Sequence, residues 1–224
     1  MDIVYLLRDG ENHELRYSLR SLVHVPHGTV WAYGGAPVWL RNVAHVRRDH
    51  AATKYQTTSE HLRAACLNES VSDPFVLMND DFFLMKPMKK ILDYNRGKVR
   101  DVIEEFEGRE VSSRYVKGMR QTLELLENAG HSDPLSFELH VPLVVYKAAM
   151  LEALDLGRDL PVFHKRTAYG AIAGLKGRRI SDVKVRDVRD EIPTGQFMSC
   201  MDSSFQLVRP VLARAFPDKS EYEA

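Results

Sequence analysis

The chain has 224 residues, 44% of them hydrophobic, which is enough for one sizeable core and too little for two. Its 31 basic and 31 acidic residues cancel, so no overall field draws it to nucleic acid or an anionic membrane, and only a local basic patch would serve such a partner. Cys66 and Cys200 match no metal-ligand spacing, and no apolar stretch is long enough to span a bilayer, so we expect a reduced, cytoplasmic setting.

The first part of the chain alternates between strand and helix patterns. Apolar runs at 2–7, 29–33 and 75–78 are typical of buried strands, and the spacing at 12–25 and 57–70 predicts helices between them. Strands that alternate with helices favour a parallel sheet, and ligands bind such sheets beyond the carboxyl ends of the strands. The loops RDGEN and NDD, which follow the first and third strands, should therefore face one crevice.

The rest of the chain is predicted to complete one domain over residues 1–224. Its parts are a charged, strand-free helical insertion at about 93–131, a strand at 135–145, a helix at 147–156, an edge strand at 183–188 and a frayed tail at 217–224. In the edge strand, apolar residues alternate with charged ones, which is typical of a strand with one solvated face. We interpret the whole as an α/β protein.

Asp80 and Asp81 stand between an apolar run and two phenylalanines. Neighbouring side chains on a strand face opposite ways, so both carboxylates enter one site only if the strand has ended, and the turn-favouring Asn79 supports that end. Such a pair suits Mg²⁺ or Mn²⁺ shared with substrate phosphates. The alternative is a turn in which the carboxylates accept backbone N–H groups; the cost of burying unpaired acids favours the metal site.

Arg16 and Arg20 lie one turn apart on the first predicted helix, on a face distinct from its leucines. Near a phosphate crevice they would clamp a diphosphate. The alternative is a solvated helix face partly paired with Glu14, and the spacing alone slightly favours that alternative.

Glu138 and His140 fall on one face of the strand predicted at 135–145. A histidine with an acidic neighbour can act as a general base, although most such histidines are structural. The stretch 163–170, which contains Arg166 and Tyr169, has the composition of an anion-binding loop and equally that of an ordinary surface loop. Asp202 precedes two serines, a pattern that suits a helix cap as well as a metal ligand.

Taken together, these motifs resemble the Stealth family of sugar-phosphate transferases, above all its short, stand-alone members, which are often bacteriophage-encoded and described as glycosyltransferases. The resemblance rests on DIVY with DG, HELRYSLRSL, GGAPVWL and FVLMNDDFFL in that order over residues 2–84. It extends to about residue 205 through Lys54-Tyr55, ELHVP at 138–142 with Lys147, the Arg166–Gly170 segment and DSSF at 202–205.

The resemblance implies a GT-A-like fold, a Rossmann-type sheet that binds a nucleotide-sugar, often a UDP-sugar, with an acidic metal motif. The positions that it assigns to donor binding are Asp9, Arg16, Arg20, Lys54 and Tyr169. Those that it assigns to the metal are Asp80, Asp81 and Asp202, and those that it assigns to catalysis are His140, Arg166 and Asp202.

The hypothesis that follows is a glycosyltransferase in which Mn²⁺ or Mg²⁺ neutralises the donor diphosphate while a base, His140 or Asp202, activates an acceptor hydroxyl. The first alternative is transfer of sugar-1-phosphate, which releases a nucleoside monophosphate. A metal-dependent hydrolase or nuclease would need no nucleotide-sugar, and a non-catalytic binding module would show no turnover. The acceptor is open: a protein, modified DNA or a glycan.

Overall fold

The computed structural model describes residues 1–51, 53–107 and 113–224. The strands are β1 (Ile3–Leu7), β2 (Val30–Gly34), β3 (Ala44–Arg47), β4 (Phe75–Met78), β5 (Phe82–Leu84), β6 (Tyr94–Asn95), β7 (Leu143–Val145), β8 (Arg178–Arg179), β9 (Lys184–Val185) and β10 (Phe197–Cys200). The helices are α1 (His13–Ser21), α2 (Lys54–Leu67), α3 (Val99–Glu107), α4 (Ser113–Asn128), α5 (Lys147–Leu156), α6 (Lys165–Ile172) and α7 (Phe205–Ala215).

The central sheet has five strands in the order β3-β2-β1-β4-β7. The first four are parallel, and β7 runs antiparallel to β4 at the edge. A smaller sheet, β5-β10-β9, continues from the end of β4, and β6 pairs with β8. The predicted α/β architecture with a mostly parallel sheet flanked by helices is confirmed.

Both faces of the central sheet are buried, and β1 shows how. Ile3, Tyr5 and Leu7 pack into one apolar cluster with leucines of α1, while Val4 packs into a second cluster on the opposite face with α2, α5 and α6. Alternate residues of a strand face opposite ways, so an uninterrupted apolar run is what a strand with helices on both sides requires.

The chain order of the strands reverses between β1 and β4, because β2 lies on one side of β1 and β4 on the other. In open parallel sheets the crevice at such a reversal is the usual ligand site. The loops that follow β1 and β4 both open onto this crevice, as the sequence predicted.

Several predicted elements are wrong in detail. The insertion at 93–131 contains helices α3 and α4 but also the two-residue strand β6, and its residues 108–112 lie outside the described part of the chain. Of the strand predicted at 135–145, only Leu143–Val145 forms. The segment 163–170, predicted as a loop, enters helix α6. Among the described residues, no helix combines the length and apolar character needed to cross a membrane.

The C-terminal tail is also ordered rather than frayed. Tyr222 is buried, Glu223 bridges to Leu40, and the backbone N–H of Arg41 donates to the carbonyl of Tyr222. The tail thus closes over α1, with consequences for the two arginines of that helix that are described below.

Candidate active site

A cleft of about 670 Å³ lies beyond the carboxyl ends of β1 and β4. This volume is within the range of small-molecule sites. Of the residues predicted for the site, the cleft brings together Asp9, Lys54, Asp80, Asp81, His140 and Asp202. Arg16, Arg20, Arg166 and Tyr169 do not line it.

Asp80 and Asp81 occupy the two central positions of a tight turn between β4 and β5. The N–H of Phe82 donates to the carbonyl of Asn79 at 3.2 Å, which closes the turn. Because the strand has ended, the side chains no longer alternate, and both carboxylates line the same cleft. The predicted strand end at Asn79 is confirmed.

Helix α1 holds this turn in place. Asn12, with a positive φ of 46°, caps the helix by accepting the N–H of Leu15, and its Nδ2 donates to Oδ2 of Asp80 at 2.7 Å. At the last residue of the turn, the carbonyl of Phe82 accepts the hydroxyl of Ser18 at 2.7 Å. Helix α1 thus positions the turn, although the two are far apart in the sequence and meet only in the folded protein.

The carboxylate of Asp80 is expensive to ionise where it lies. Burial and the neighbouring charge of Asp81 raise its pKa to about 6, against the hydrogen bond from Asn12 and the charge of Arg8. Nε of Arg8 lies 3.8 Å from Oδ2 of Asp80, which is a loose contact. A further cation bound close to this carboxylate, in addition to Arg8, would therefore favour its ionised form.

Arg8 binds Asp202 more closely than it binds Asp80. Its Nη1 and Nη2 donate to the two oxygens of Asp202 at 2.6 and 3.0 Å. These hydrogen bonds hold the pKa of Asp202 below its ordinary value. The arginine therefore joins the loop after β1 to the loop after β10.

Lys184 is the cation that accompanies Asp81. Its Nζ donates to Oδ2 of Asp81 at 2.8 Å, and the hydroxyl of Ser199 donates to the same oxygen at 2.9 Å. Lys184 lies on β9, at the edge of the small sheet, as the alternating pattern at 183–188 predicted. The charged face of that strand was expected to be solvated, but its Lys184 lines the cleft.

His140 has an acidic partner, but it is not Glu138. Nδ1 of His140 lies 3.0 and 2.9 Å from the two oxygens of Asp182. Because residues 136–142 do not form the predicted strand, Glu138 and His140 diverge: His140 lines the cleft and Glu138 lines an adjoining chamber. Sequence reasoning missed Asp182, whose only signal was its place directly before the alternating stretch at 183–188.

The adjoining chamber has a volume of about 220 Å³ and shares the side chains of Leu6, Lys54, Thr58 and Asn79 with the cleft. Lys165 lies on its wall and donates to the hydroxyl of Thr58 at 3.0 Å. Burial lowers the pKa of Lys165 to about 8, against the opposing charge of Glu138. The chamber thus extends the cleft with polar groups on an otherwise apolar wall.

Asp9 and Lys54 lie toward the mouth of the cleft. Asp9 is half-exposed and accepts from Arg47 at 2.7 Å, and Nε2 of His50 lies 3.0 Å from its other oxygen. Lys54 begins helix α2, and its Nζ lies 5.3 Å from the centre of the Tyr55 ring. Both positions allow contact with a bound ligand.

The carboxylates fit a metal ion that is shared with a substrate. Among the described residues, no three His, Cys, Asp or Glu side chains come close enough to enclose an ion alone. Each of the two aspartates accepts hydrogen bonds from described residues through its Oδ2 atom only. The Oδ1 atom of each is therefore available to a metal ion. Mg²⁺ is commonly bound by one or two carboxylates and completes its shell with water and phosphate oxygens. Asp202 would join them only if Arg8 moved away.

The structure does not bring Arg16 and Arg20 to the crevice. Both donate to the carboxylate of Glu223 in the C-terminal tail, at 3.1 Å from Arg16 and at 2.7 and 2.8 Å from Arg20. The guanidinium of Arg16 also stacks 4.0 Å from the centre of the Trp39 ring. The expected diphosphate clamp is therefore replaced by a structural ion pair.

Arg166 and Tyr169 are structural as well. The guanidinium of Arg166 is buried and donates to the carbonyls of Phe137 and Val141, which fixes the segment that carries His140. The hydroxyl of Tyr169 donates to the carbonyl of Val144 at 2.8 Å and accepts the N–H of Tyr146. Both side chains are thus held by structural contacts, although Arg166 also lines the adjoining chamber. The catalytic role of Arg166 and the donor-binding role of Tyr169 stay predictions.

Comparison with known proteins defines the class of fold. No protein-family model and no curated protein matches the chain by sequence. Its structure is similar to that of the galactosyltransferase LgtC in complex with donor and acceptor sugar analogs, with a TM-score of 0.53 and 11% identity over 99% of this chain and 98% of that chain. An active-site mutant of LgtC gives a TM-score of 0.52 over the same shares. Mouse xyloside xylosyltransferase 1, in its apo form, gives a TM-score of 0.36 at 10% identity over 100% and 96%.

The chain therefore has the GT-A fold of glycosyltransferases of the LgtC kind, as its strand order and the place of its cleft also indicate.

Proposed function

We propose that the protein is a metal-dependent glycosyltransferase that moves a sugar from a nucleotide-sugar, first of all a UDP-sugar, to an acceptor hydroxyl. The observation that carries this proposal is the pair Asp80 and Asp81, turned into the crevice of a GT-A fold with one free oxygen each. The resemblance to Stealth-type proteins supports the same class of donor.

The charge balance of the cleft supports an anionic donor only when it comes with a cation. Acidic side chains outnumber lysine and arginine along the lining, so a diphosphate entering alone would be repelled. When bound, Mn²⁺ or Mg²⁺ would supply charge stabilisation to the departing diphosphate. Once Asp81 is neutralised in this way, Lys184 becomes free to donate to phosphate oxygens.

His140 is the base that we propose for the acceptor. Its Nδ1 is occupied by Asp182, and within the described residues no hydrogen bond uses Nε2. As the acceptor oxygen bonds to the anomeric carbon, its proton passes to Nε2. The bond from the anomeric carbon to the phosphate oxygen breaks, and the nucleoside diphosphate leaves with the electron pair.

The test is an assay of nucleotide release from a panel of UDP- and GDP-sugars with Mn²⁺, with Mg²⁺ or with EDTA. Release of UDP or GDP in the presence of metal is expected. Release of UMP or GMP would show sugar-1-phosphate transfer from the same site instead. Asp80→Asn and Asp81→Asn should each lower the rate at least about 100-fold, while Asp159→Asn, the same change at an exposed position, should leave it unaltered.

Two results would refute the proposal: no consumption of any donor with either metal, or full turnover in the double variant Asp80→Asn plus Asp81→Asn. Candidate acceptors to add to the assay are a protein, DNA with hydroxylated bases and a glycan. The mass increment of the product then separates hexose from hexose phosphate.

A further inference from the structure

His140 is held by more contacts than an ordinary surface histidine. Asp182 meets its Nδ1 with both carboxylate oxygens, at 3.0 and 2.9 Å, and one of these oxygens also accepts the backbone N–H of His140 at 3.1 Å. The rings of His140 and Phe82 lie nearly at right angles, with 6.2 Å between the ring centres. The imidazole therefore has one orientation, with Nε2 as the nitrogen left for a ligand.

Asp182 is itself fixed before it reaches His140. Its side chain is only 6% exposed, and Nη2 of Arg186 donates to Oδ2 at 2.5 Å. The N–H of Val183 donates to Oδ1 at 3.0 Å. Two donors other than His140 thus hold the carboxylate, and its position sets the orientation of the His140 ring.

The spacing of the charged residues explains how one short segment reaches two parts of the cleft. Asp182, Lys184 and Arg186 alternate in sequence with Val183 and Val185, and β9 covers Lys184 and Val185 of this segment. The hydrogen bond from Arg186 to Asp182 shows that the side chains on either side of Lys184 reach each other. Asp182 meets His140 and Lys184 meets Asp81. The segment that the sequence predicted to be a solvated edge strand thus holds both His140 and Asp81 in position.

We propose that Asp182 is a positioning residue for the base: it holds the proton on Nδ1 of His140 and leaves Nε2 as the acceptor that faces the cleft. This inference rests on the proposed function, because His140 must act as a base for its alignment to affect the rate. When Nε2 takes the proton of the acceptor hydroxyl, the imidazolium that forms lies against the negative charge of Asp182.

The electrostatics of Asp182 agree with this role. Burial on its own would raise its pKa, but the hydrogen bonds from His140 and Arg186 hold the pKa well below its ordinary value. The carboxyl group therefore stays ionised and accepts hydrogen bonds only. It fixes the tautomer of His140 without taking the proton.

Other charged groups lie near this pair. Arg166 donates to the carbonyl of Val141, next to His140, and Arg186 donates to Asp182 on the exposed side. Lys184 and Asp81 share the lining of the cleft with His140. Of these groups, Asp182 is the one whose side chain contacts the His140 ring.

Asp182→Asn is the central test, with Asp187→Asn as the matched control on the same segment. Asp187 pairs with Arg189 at an exposed position, away from the cleft. In Asp182→Asn, kcat should fall about 100-fold or more while the donor KM stays the same, because alignment of the base acts on the chemical step.

The tautomer can be read without any activity. In ¹⁵N NMR of the neutral protein, the signals of His140 should show the proton on Nδ1 in the parent protein and a shift toward Nε2–H in Asp182→Asn. A parent protein that consumes no donor but shows this change would refute the proposed function and leave the positioning contact standing. An unchanged tautomer with unchanged kcat would refute the inference.

A second comparison guards against a variant that does not fold. Arg186→Gln keeps the carboxylate and removes its exposed partner, so kcat should fall several-fold in the parent and no further in a His140→Ala background. Equal losses in both backgrounds would overturn the inference, because they would show that the segment acts independently of His140. A changed His140 tautomer in Glu138→Gln but not in Asp182→Asn would overturn it as well.

Discussion

The guanidinium of Arg20 binds the carboxylate of Glu223 through two hydrogen bonds of 2.7 and 2.8 Å, across 203 residues of sequence. Arg16 adds a third at 3.1 Å, and the side chain of Glu223 has no exposed surface. The pair therefore joins helix α1 to the C-terminal tail. Since α1 also carries Asn12, which holds Asp80, the tail supports the helix on which the candidate site depends.

Replacing Glu223 by Gln should lower the free energy of unfolding and make that free energy depend less on pH. Burial would raise the pKa of Glu223, but hydrogen bonds from Arg20, from the backbone of Ser220 and from Arg16 lower it from 4.5 to about 2. A carboxyl group with a depressed folded pKa stabilises above its unfolded pKa, and that stability is lost as the pH falls toward the folded value. We expect Glu223→Gln to lower the free energy of unfolding by about 2–3 kcal/mol at pH 7.

The measurement is urea unfolding of the parent and the variant at pH 7 and at pH 3. The difference in free energy of unfolding between the parent and the variant should shrink as the pH falls from about 4.5 to about 2. The control is Glu221→Gln, two residues away and exposed. A difference that stays constant over this pH range, or an equal loss in the control, would contradict the ion-pair explanation.

Replacing Lys184 by Met should lower kcat/KM for the donor and have a smaller effect on the free energy of unfolding. The variant keeps most of the side-chain length but loses the charge that offsets Asp81 and that we expect to meet donor phosphate oxygens. Hydrogen bonds to charged groups are worth roughly 1.5–3 kcal/mol, so kcat/KM for the donor should fall about 10- to 100-fold.

Steady-state kinetics with varied donor check this expectation, and Lys176→Met, at an exposed position outside the cleft, is the matched control. Normal kinetics in Lys184→Met would remove this lysine from the site. Unfolding of the variant at low denaturant would assign it a purely structural role.

Replacing Tyr169 by Phe separates a structural tyrosine from a donor ligand. The hydroxyl donates to the carbonyl of Val144 and accepts the N–H of Tyr146, so its removal leaves two groups without a partner next to β7. We expect the free energy of unfolding to fall by about 1–3 kcal/mol while the donor KM is unchanged. A raised KM with normal stability would restore the donor-binding role that the sequence suggested.

Local patterns in the sequence were sufficient for the frame of the site. Uninterrupted apolar runs located β1, β2 and β4, and alternation with helices implied a parallel sheet, so the loops after β1 and β4 had to meet at one crevice. The turn at Asp80 and Asp81 followed from Asn79 and the end of an apolar run. These inferences hold because backbone periodicity depends on residues a few positions apart.

Tertiary structure alone decided which charges meet. Arg20 looked like a phosphate ligand until the tail placed Glu223 beside it, and Glu138 looked like the partner of His140 until the chain left the strand conformation and Asp182 took that place. The face of β9 that carries Lys184 has the same alternation whether water or a cleft covers it. The partners of a charged side chain depend on elements many residues away, and no local periodicity records how those elements pack.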